Sequence, residues 1–371
     1  MKTKAAVVYE PGKPIVIEEL DLDKPQAGEV LIRYTHAGLC HSDVHIAHGD
    51  LEARLPMVLG HEGAGVIEEV GTGVTRVKAG DRVVCSFIPN CGTCRYCSNG
   101  QQSICDMGAT ILEGYLPGER FPITGPAGQY GAMCMLGTFS QFGVIHQNSV
   151  VKVDDDLSLE SAVLVGCGVP TGFGSAVNTA AVKAGDTVVI YGIGGIGINA
   201  VQGARLAGAK YVVAVDPLEN KREAALQLGA THAFADAASA LAEVTNLTRG
   251  QLADSAILTQ GLVTAENVTD GFDAIGKGGV LVLTGLNKLT EPTIQLSGAV
   301  TTLFRKTIKG SLFGDCNPTY DIPRILGLYQ KGDIKLDELI TRTYTLEQVN
   351  EGYDDLLNGA NIRGVVVHDH S

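Results

Sequence analysis

Short apolar runs, broken by glycine and proline, open the chain. Ala5–Tyr9, Ile15–Glu19, Glu29–Thr35 and Gly63–Val70 are rich in valine and isoleucine, and each predicts a β-strand. Val74–Gly80 reads as a loop into a further strand over Asp81–Ser86. The cysteine- and glycine-rich stretch from Pro89 to Gly137 reads as irregular. The pattern changes near Gly166. Thr187–Gly192 is a continuous apolar strand, followed by glycines and then a helix over Gly197–Gly208. Tyr211–Val215, Asp254–Leu258 and Gly279–Thr284 are further buried strands, and Asn220–Gly229 and Thr264–Gly276 read as helices. Strands alternating with helices predict an α/β architecture built on a parallel, doubly wound sheet. Beyond Leu312, two amphipathic helices over Asp321–Lys331 and Leu346–Leu357 lead to a closing strand over Gly364–His368. The expected organisation is a β-rich domain over 1–168, an α/β domain over 169–312, and a return to the first domain over 313–371.

Composition narrows the function. A chain of 371 residues is long for one core and suggests two domains. The formal net charge is −13 with no basic run, so nucleic acid is not an expected partner. Glu10 and Glu18 interrupt the N-terminal sequence before any apolar stretch long enough for a signal peptide, and no run of about 20 uncharged apolar residues occurs. A cytoplasmic location away from membranes is the expectation. In that compartment, closely spaced thiols among the nine cysteines point to metal or redox chemistry rather than disulfides.

Cys91, Cys94 and Cys97 are spaced three apart, and Cys105 follows. A loop with that spacing wraps one small ion, and zinc takes four thiolates with no vertex left open, which makes such a site structural. An iron–sulfur cluster and unligated cysteines that merely sit together are the other readings of four cysteines. A second constellation is dispersed: Gly38-Leu39-Cys40-His41-Ser42-Asp43-Val44-His45, then Gly60-His61-Glu62, then Gly166-Cys167-Gly168. Cys40, His61 and Cys167 together would supply three ligands and leave one position open, the arrangement of catalytic zinc. Taken singly, His61 reads as structural and Cys167 as a packed core thiol. Spacing alone does not bring the three together.

The strand ending at Tyr191 runs into Gly192-Ile193-Gly194-Gly195-Ile196-Gly197, a G-x-G-x-x-G sequence opening a helix, and Asp216 ends the next strand. That is the context in which the fingerprint binds a dinucleotide. Gly192 serves the tight turn, Gly194 the approach of the pyrophosphate, and Gly197 close helix–strand packing. The helix N-terminus, with Gly195 and Ile196, faces the phosphates. Asp216 is expected to accept from ribose hydroxyls and to repel a 2′-phosphate, favouring NAD over NADP. Its other reading is a turn acid before Pro217.

GLCHSDVHIAHG, GHEGAGVIEEVG, CGTCRYCSNGQQSIC, GTFSQF and GCGVPTGFGSAVNTA together resemble the zinc-containing medium-chain alcohol dehydrogenases across nearly the whole chain. CNPTYDIPRILGLYQKGDIKLDELIT and LNGANIRGVV further resemble the actinobacterial nicotinoprotein-like members, which are assayed with N,N-dimethyl-4-nitrosoaniline and can hold NAD(H) tightly. The resemblance implies a chaperonin-10-like catalytic domain beside a Rossmann domain. It implies two zinc ions per chain, one catalytic at Cys40, His61 and Cys167 and one structural at Cys91, Cys94, Cys97 and Cys105. Cys85, Cys134 and Cys316 fall outside both sets. It implies a homo-oligomer, a dimer or tetramer, acting on a small alcohol or aldehyde.

The resemblance also implies that Lys221 reaches the adenosine ribose and that Arg363 helps bind the pyrophosphate. His41 stands where many relatives carry arginine, and a neutral imidazole there would hold pyrophosphate less firmly. The reaction it implies is hydride transfer from an alcohol carbon to nicotinamide, with the hydroxyl acidified by zinc. Ser42 would take the proton and pass it through the nicotinamide ribose to His45. Asp43 would accept the far N–H of His61 and fix its tautomer. Glu62 reads as an outer acid, a transient ligand or an ion-pair partner. Phe87, Leu136, Leu286 and Leu312 are candidates for an apolar substrate wall suited to primary, aromatic or longer aliphatic alcohols. Two rivals stand beside this reading. One is a thiol-dependent formaldehyde dehydrogenase, whose CGV/CGF–TG–G pattern is close; polyol dehydrogenases differ by carrying Glu for the third cysteine. The other is a non-enzymatic NAD-binding zinc protein on the same fold.

Overall fold

The computed structural model describes residues 1–287 and 294–371. They form two compact units, Met1–Cys167 with Asn317–Ser371, and Gly168–Cys316. No helix among the described residues is long and apolar enough to cross a membrane.

The first unit is built from β-structure. Lys2–Val8 pairs antiparallel with Val16–Leu22 and with Met57–Val58, and the ring closes through Ile123–Gly125 and Gly128–Ala132 into a five-stranded barrel. Ala5, Val7, Leu20, Val58 and Tyr130 fill it. The stretch Pro89–Gly137 therefore corrects the expectation of irregular chain, because it contributes two of these strands. They are three and five residues long and flank a Gly-Pro-Ala-Gly turn, too short to show alternation.

A second sheet carries the order Val150–Lys152, Arg82–Cys85, Glu62–Val70, Glu29–Gly38, Arg363–Val367, Ile340–Tyr344, with Phe142–His146 also pairing with Glu29–Gly38. Its register fixes the ends that matter later. Gly38 lies opposite Glu62, Val365 opposite Gly38, and Gly63 opposite Cys85.

The second unit holds six parallel strands in the order His232–Phe234, Tyr211–Val215, Thr187–Tyr191, Ala253–Leu258, Ile275–Leu283, Thr307–Gly310. The first strand in sequence sits in the middle and the chain winds outward both ways, which is the doubly wound order. Val189, Val213, Ala256, Leu281 and Phe272 are buried in its core. Near-continuous Val, Ile and Leu in the central strands follow from a sheet covered on both faces. The two edge strands are short and less buried, and their sequences carry no such run.

Candidate active site

The register of the second sheet assembles the dispersed constellation. Because Gly38 faces Glu62, the chain running past Gly38 to Cys40 meets the chain entering at His61. Extending the pairing of Val365 with Gly38 brings Arg363 level with Cys40, and Leu39 N–H donates to the Gly364 carbonyl at 2.9 Å. A tight turn over Val163–Gly166 then delivers Cys167, with the Gly166 carbonyl accepting from Phe87 N–H. One donor atom from each of Cys40, His61, Glu62 and Cys167 lies within 4.8 Å of the other three, and all four residues are buried.

Two glycines make room. A Cβ on Gly38 would stand 2.1 Å from a Glu62 carboxylate oxygen, so only glycine admits that side chain. Gly60 adopts φ +89°, and a Cβ there would meet the Phe139 backbone nitrogen at 2.5 Å.

Hydrogen bonds orient the donors. Asp43 is fully buried on the helix His41–His48; one carboxylate oxygen accepts from His61 Nδ1 at 3.2 Å and from Gly60 N–H at 3.1 Å, and the other accepts from Cys40 N–H at 3.2 Å. The carboxylate so ties the N-terminus of its own helix to the Gly60–His61 segment. It also leaves His61 Nε2 as the atom directed at the sulfurs, and Nε2 is buried with no hydrogen-bond partner. Burial works against a charged His61 ring, but Asp43 and the Cys40 sulfur outweigh it and hold the pKa well above the usual imidazole range. Cys167 donates to the Cys40 sulfur, which holds the Cys40 thiol well below its ordinary range and its partner well above.

Glu62 is ion-paired with Arg363, both almost fully covered. Burial pushes the Glu62 carboxyl up to about 7, against the opposing pull of Arg363. Removing one member of such a buried pair costs about 3–5 kcal/mol, because the survivor is left uncompensated. The sequence expectation for Arg363 was phosphate binding; its place beside Glu62 was not visible from NIRGVV. A second group missed in the sequence is Tyr353, whose phenol is driven well above its usual range by burial and then by the Asp43 charge. Only the register and the packing of helix Val349–Leu357 bring it there.

The four-cysteine loop has a different character. Cys91 and Cys94 are half-buried, and Cys97 and Cys105 are buried, with all four sulfurs within 4.8 Å of one another. Sulfurs sharing one tetrahedral zinc at about 2.3 Å stand about 3.8 Å apart. The Cys91–Cys97 and Cys94–Cys105 sulfur separations are 3.9 Å and 4.0 Å, and no disulfide forms. Backbone N–H groups of Cys94 and Cys97 donate to the sulfurs of Cys91 and Cys94. The Cys97 and then the Asp106 backbone N–H bonds lower the Cys94 thiol pKa. Cys85, Cys134 and Cys316 are buried and form no disulfide.

In the second unit the glycine loop has the expected form. Gly192 adopts φ +85°, and a Cβ on Gly197 would strike the Gly192 carbonyl at 1.9 Å. A Cβ on Gly194 would meet nothing within 4 Å, so that side of the loop is open. Gly195 and Ile196 lead into the helix Gly197–Leu206. Asp216 ends the second strand, and its carboxylate accepts from Ile193 N–H at 2.7 Å and from Leu218 N–H at 2.9 Å. It thus ties the glycine loop to the neighbouring strand end while each oxygen keeps a further lone pair. Lys221 is buried on the helix Glu219–Leu228, and burial lowers its pKa against the pull of Asp216. Arg222, not singled out in the sequence, donates to the Asp216 and Pro217 carbonyls.

The remaining candidates are placed as follows. Ser42 follows His41 on the first turn of its helix, 3.7 Å from the Cys40 sulfur, and His45 lies one turn on. The Phe87 ring stands edge-on to His61, with centroids 5.8 Å apart. Leu136 is buried in the first unit, while Leu286 and Leu312 are each 41% exposed on the second.

Comparison with known proteins agrees with these constellations. The model of the alcohol dehydrogenase GroES-like domain matches residues 26–155, and that of the zinc-binding dehydrogenases matches residues 195–331. The chain is 64% identical over 368 residues to the NDMA-dependent alcohol dehydrogenase of Amycolatopsis methanolica, covering 99% of each. Among solved structures, an alcohol dehydrogenase zinc-binding domain protein from Burkholderia ambifaria superposes with a TM-score of 0.93 at 31% identity, covering all of both chains. The benzyl alcohol dehydrogenase of Acinetobacter calcoaceticus does so with a TM-score of 0.92 at 29% identity, again over both full chains. A buried cysteine–histidine–cysteine cluster, a four-thiol loop and a doubly wound sheet, joined by full-length identity of this order, make the chain a member of the zinc-containing medium-chain alcohol dehydrogenases, an alcohol oxidoreductase.

Proposed function

We propose that this chain transfers a hydride between a primary alcohol and NAD, using one zinc at Cys40, His61 and Cys167 and a second at Cys91, Cys94, Cys97 and Cys105. The observation that carries the reading is the buried His61 Nε2, without a hydrogen-bond partner and aimed at two sulfurs. A nitrogen desolvated in that way is costly unless an ion completes it. Two sulfurs and one imidazole nitrogen form a donor set suited to zinc. When bound, zinc supplies Lewis acidity to a hydroxyl oxygen and NAD supplies the hydride acceptor.

The chain's own residues do the rest. Arg363 holds the Glu62 carboxylate in an ion pair, which would leave Cys40, His61 and Cys167 as the residues that hold the ion. Asp43 fixes the His61 tautomer through Nδ1. Ser42 would take the proton from the substrate hydroxyl, and His45, one helical turn on, would accept it for release to water. Gly192, Gly194, Gly195, Ile196 and Gly197 would cradle the pyrophosphate. Asp216 and Lys221 hold the adenosine ribose. Phe87, edge-on to His61, would favour aromatic or longer aliphatic alcohols over polyols. Full-length identity to an NDMA-dependent enzyme supports tight retention of NAD(H), and the family resemblance supports a homo-oligomer.

Denaturing release of nucleotide and zinc counting on freshly purified protein test this, together with turnover of benzyl alcohol, longer alkanols and polyols. The expected result is two zinc ions per chain, bound NAD(H) rather than NADP(H), and fastest turnover on benzyl alcohol. Zinc-free protein that turns over, or fastest turnover on small polyols, contradicts it.

A further inference from the structure

The helix that carries Ser42 and His45 ends in a way that equips His45 with a carboxylate. Gly49 caps it in a left-handed conformation, φ 85° and ψ 16°. That conformation suits glycine, and it turns the chain back over the last helical turn. Leu51 N–H then donates to the His45 carbonyl at 3.1 Å. The residue between them, Asp50, is carried alongside the imidazole, with its carboxylate 3.2 Å from His45 Nδ1. The two side chains are 10% and 28% exposed, so this is not a surface pair that solvent screens away. An ionised carboxylate only accepts hydrogen bonds. The Nδ1 atom facing it therefore carries the ring proton in the neutral imidazole, and Nε2 is the unprotonated nitrogen.

We propose that Asp50 is a positioning residue for proton release: through Nδ1 it fixes the His45 tautomer and ring orientation so that Nε2 accepts the proton leaving by way of Ser42. The inference rests on the relay reading of Ser42 and His45. The proton arriving at Nε2 converts neutral imidazole to imidazolium while Nδ1–H stays on Asp50. Loss of one ring proton to water then restores the neutral ring, and no electrons move.

Asp50→Ala, Asp50→Asn and His45→Gln distinguish the inference from the reading beneath it. Each variant is assayed for kcat and KM with and without added imidazole buffer, which bypasses an internal base, and its Tm is recorded. Loss of a group that orients a functional histidine costs about 10–100-fold. The expected result is a kcat about tenfold lower in Asp50→Ala, with KM within about twofold and recovery in imidazole. Asp50→Asn should keep most of the wild-type rate, because an amide oxygen also accepts from Nδ1. His45→Gln should lose more and recover likewise. Wild-type turnover in His45→Gln overturns the relay and the inference with it. A slow, imidazole-rescued His45→Gln beside an unimpaired Asp50→Ala overturns the inference alone. So does an Asp50→Ala protein that is slow, lower in Tm and not rescued, since its role is then only structural.

Discussion

Cys91, Cys94, Cys97 and Cys105 come from fifteen consecutive residues, whereas Cys40, His61, Glu62 and Cys167 come from three distant stretches that a sheet brings together. The first set is all sulfur, half-exposed in two of its members, and shaped by its own backbone N–H bonds. The second is wholly buried, mixes sulfur, imidazole and carboxylate, and depends on supports outside itself, Asp43 and Arg363. A loop that closes on an ion by itself needs no rest of the protein. A site that must keep a position open for substrate needs the surrounding chain to orient each donor and to divert the one that would close it.

The two sets should respond differently to loss of one sulfur. Cys40→Ala or Cys167→Ala should lower kcat/KM for alcohol by about 10³-fold or more and remove one zinc, with Tm changed little. Cys94→Ser should remove the other zinc and lower Tm by roughly 10 °C, while the protein that remains folded keeps most of its turnover. Identical phenotypes, by zinc count, calorimetry and kinetics, would dissolve the distinction.

Acid should separate the two regions as well. The His368 ring donates to the Thr138 carbonyl, Thr138 donates to the Glu62 carbonyl, and His368 Nδ1 is buried without a partner. Burial lowers the His368 pKa to about 4. The unfolded chain, with an ordinary imidazole near 6.5, binds more protons in that window. Stability from this group is therefore complete above about pH 6.5 and is lost as pH falls through about 4, a change of about 3 kcal/mol. Denaturant titrations of wild type and His368→Leu at pH 7 and pH 4 measure it, and the variant should show the smaller loss. Equal losses in the two proteins would remove His368 from the frame of the mixed cluster.

Smaller effects sharpen the picture. Asp43→Asn should weaken zinc at the mixed cluster by about 10–100-fold in competition with a chelator and leave the thiol loop unaffected. Asp216→Ala should reduce the preference for NAD over NADP by about tenfold in coenzyme binding, since Arg222 stands nearby once the acid is gone. An unchanged ratio would leave Asp216 only its bonds to Ile193 and Leu218.

Why some of this was legible in the sequence follows from range. The thiol loop and the glycine fingerprint are local, so spacing alone carries them, and the central parallel strands announce themselves by burial on both faces. Cys40, His61 and Cys167 were joined by family resemblance, because no spacing rule encodes the register that sets Gly38 against Glu62. The Arg363–Glu62 pair and the approach of Asp50 to His45 were not legible at all. The first spans most of the chain, and the second depends on one left-handed glycine. The short hairpin over Ile123–Ala132 was hidden because strands of three and five residues show no periodicity.

An ion is expected to complete the buried His61 nitrogen and the two sulfurs beside it. Anomalous diffraction at the zinc edge, on crystals of protein purified without added metal, tests it most directly. Two peaks per chain are expected, one amid Cys91, Cys94, Cys97 and Cys105 and one in contact with Cys40, His61 Nε2 and Cys167. A single peak at the four-thiol loop, with His61 Nε2 bonded instead to protein or water, would contradict it.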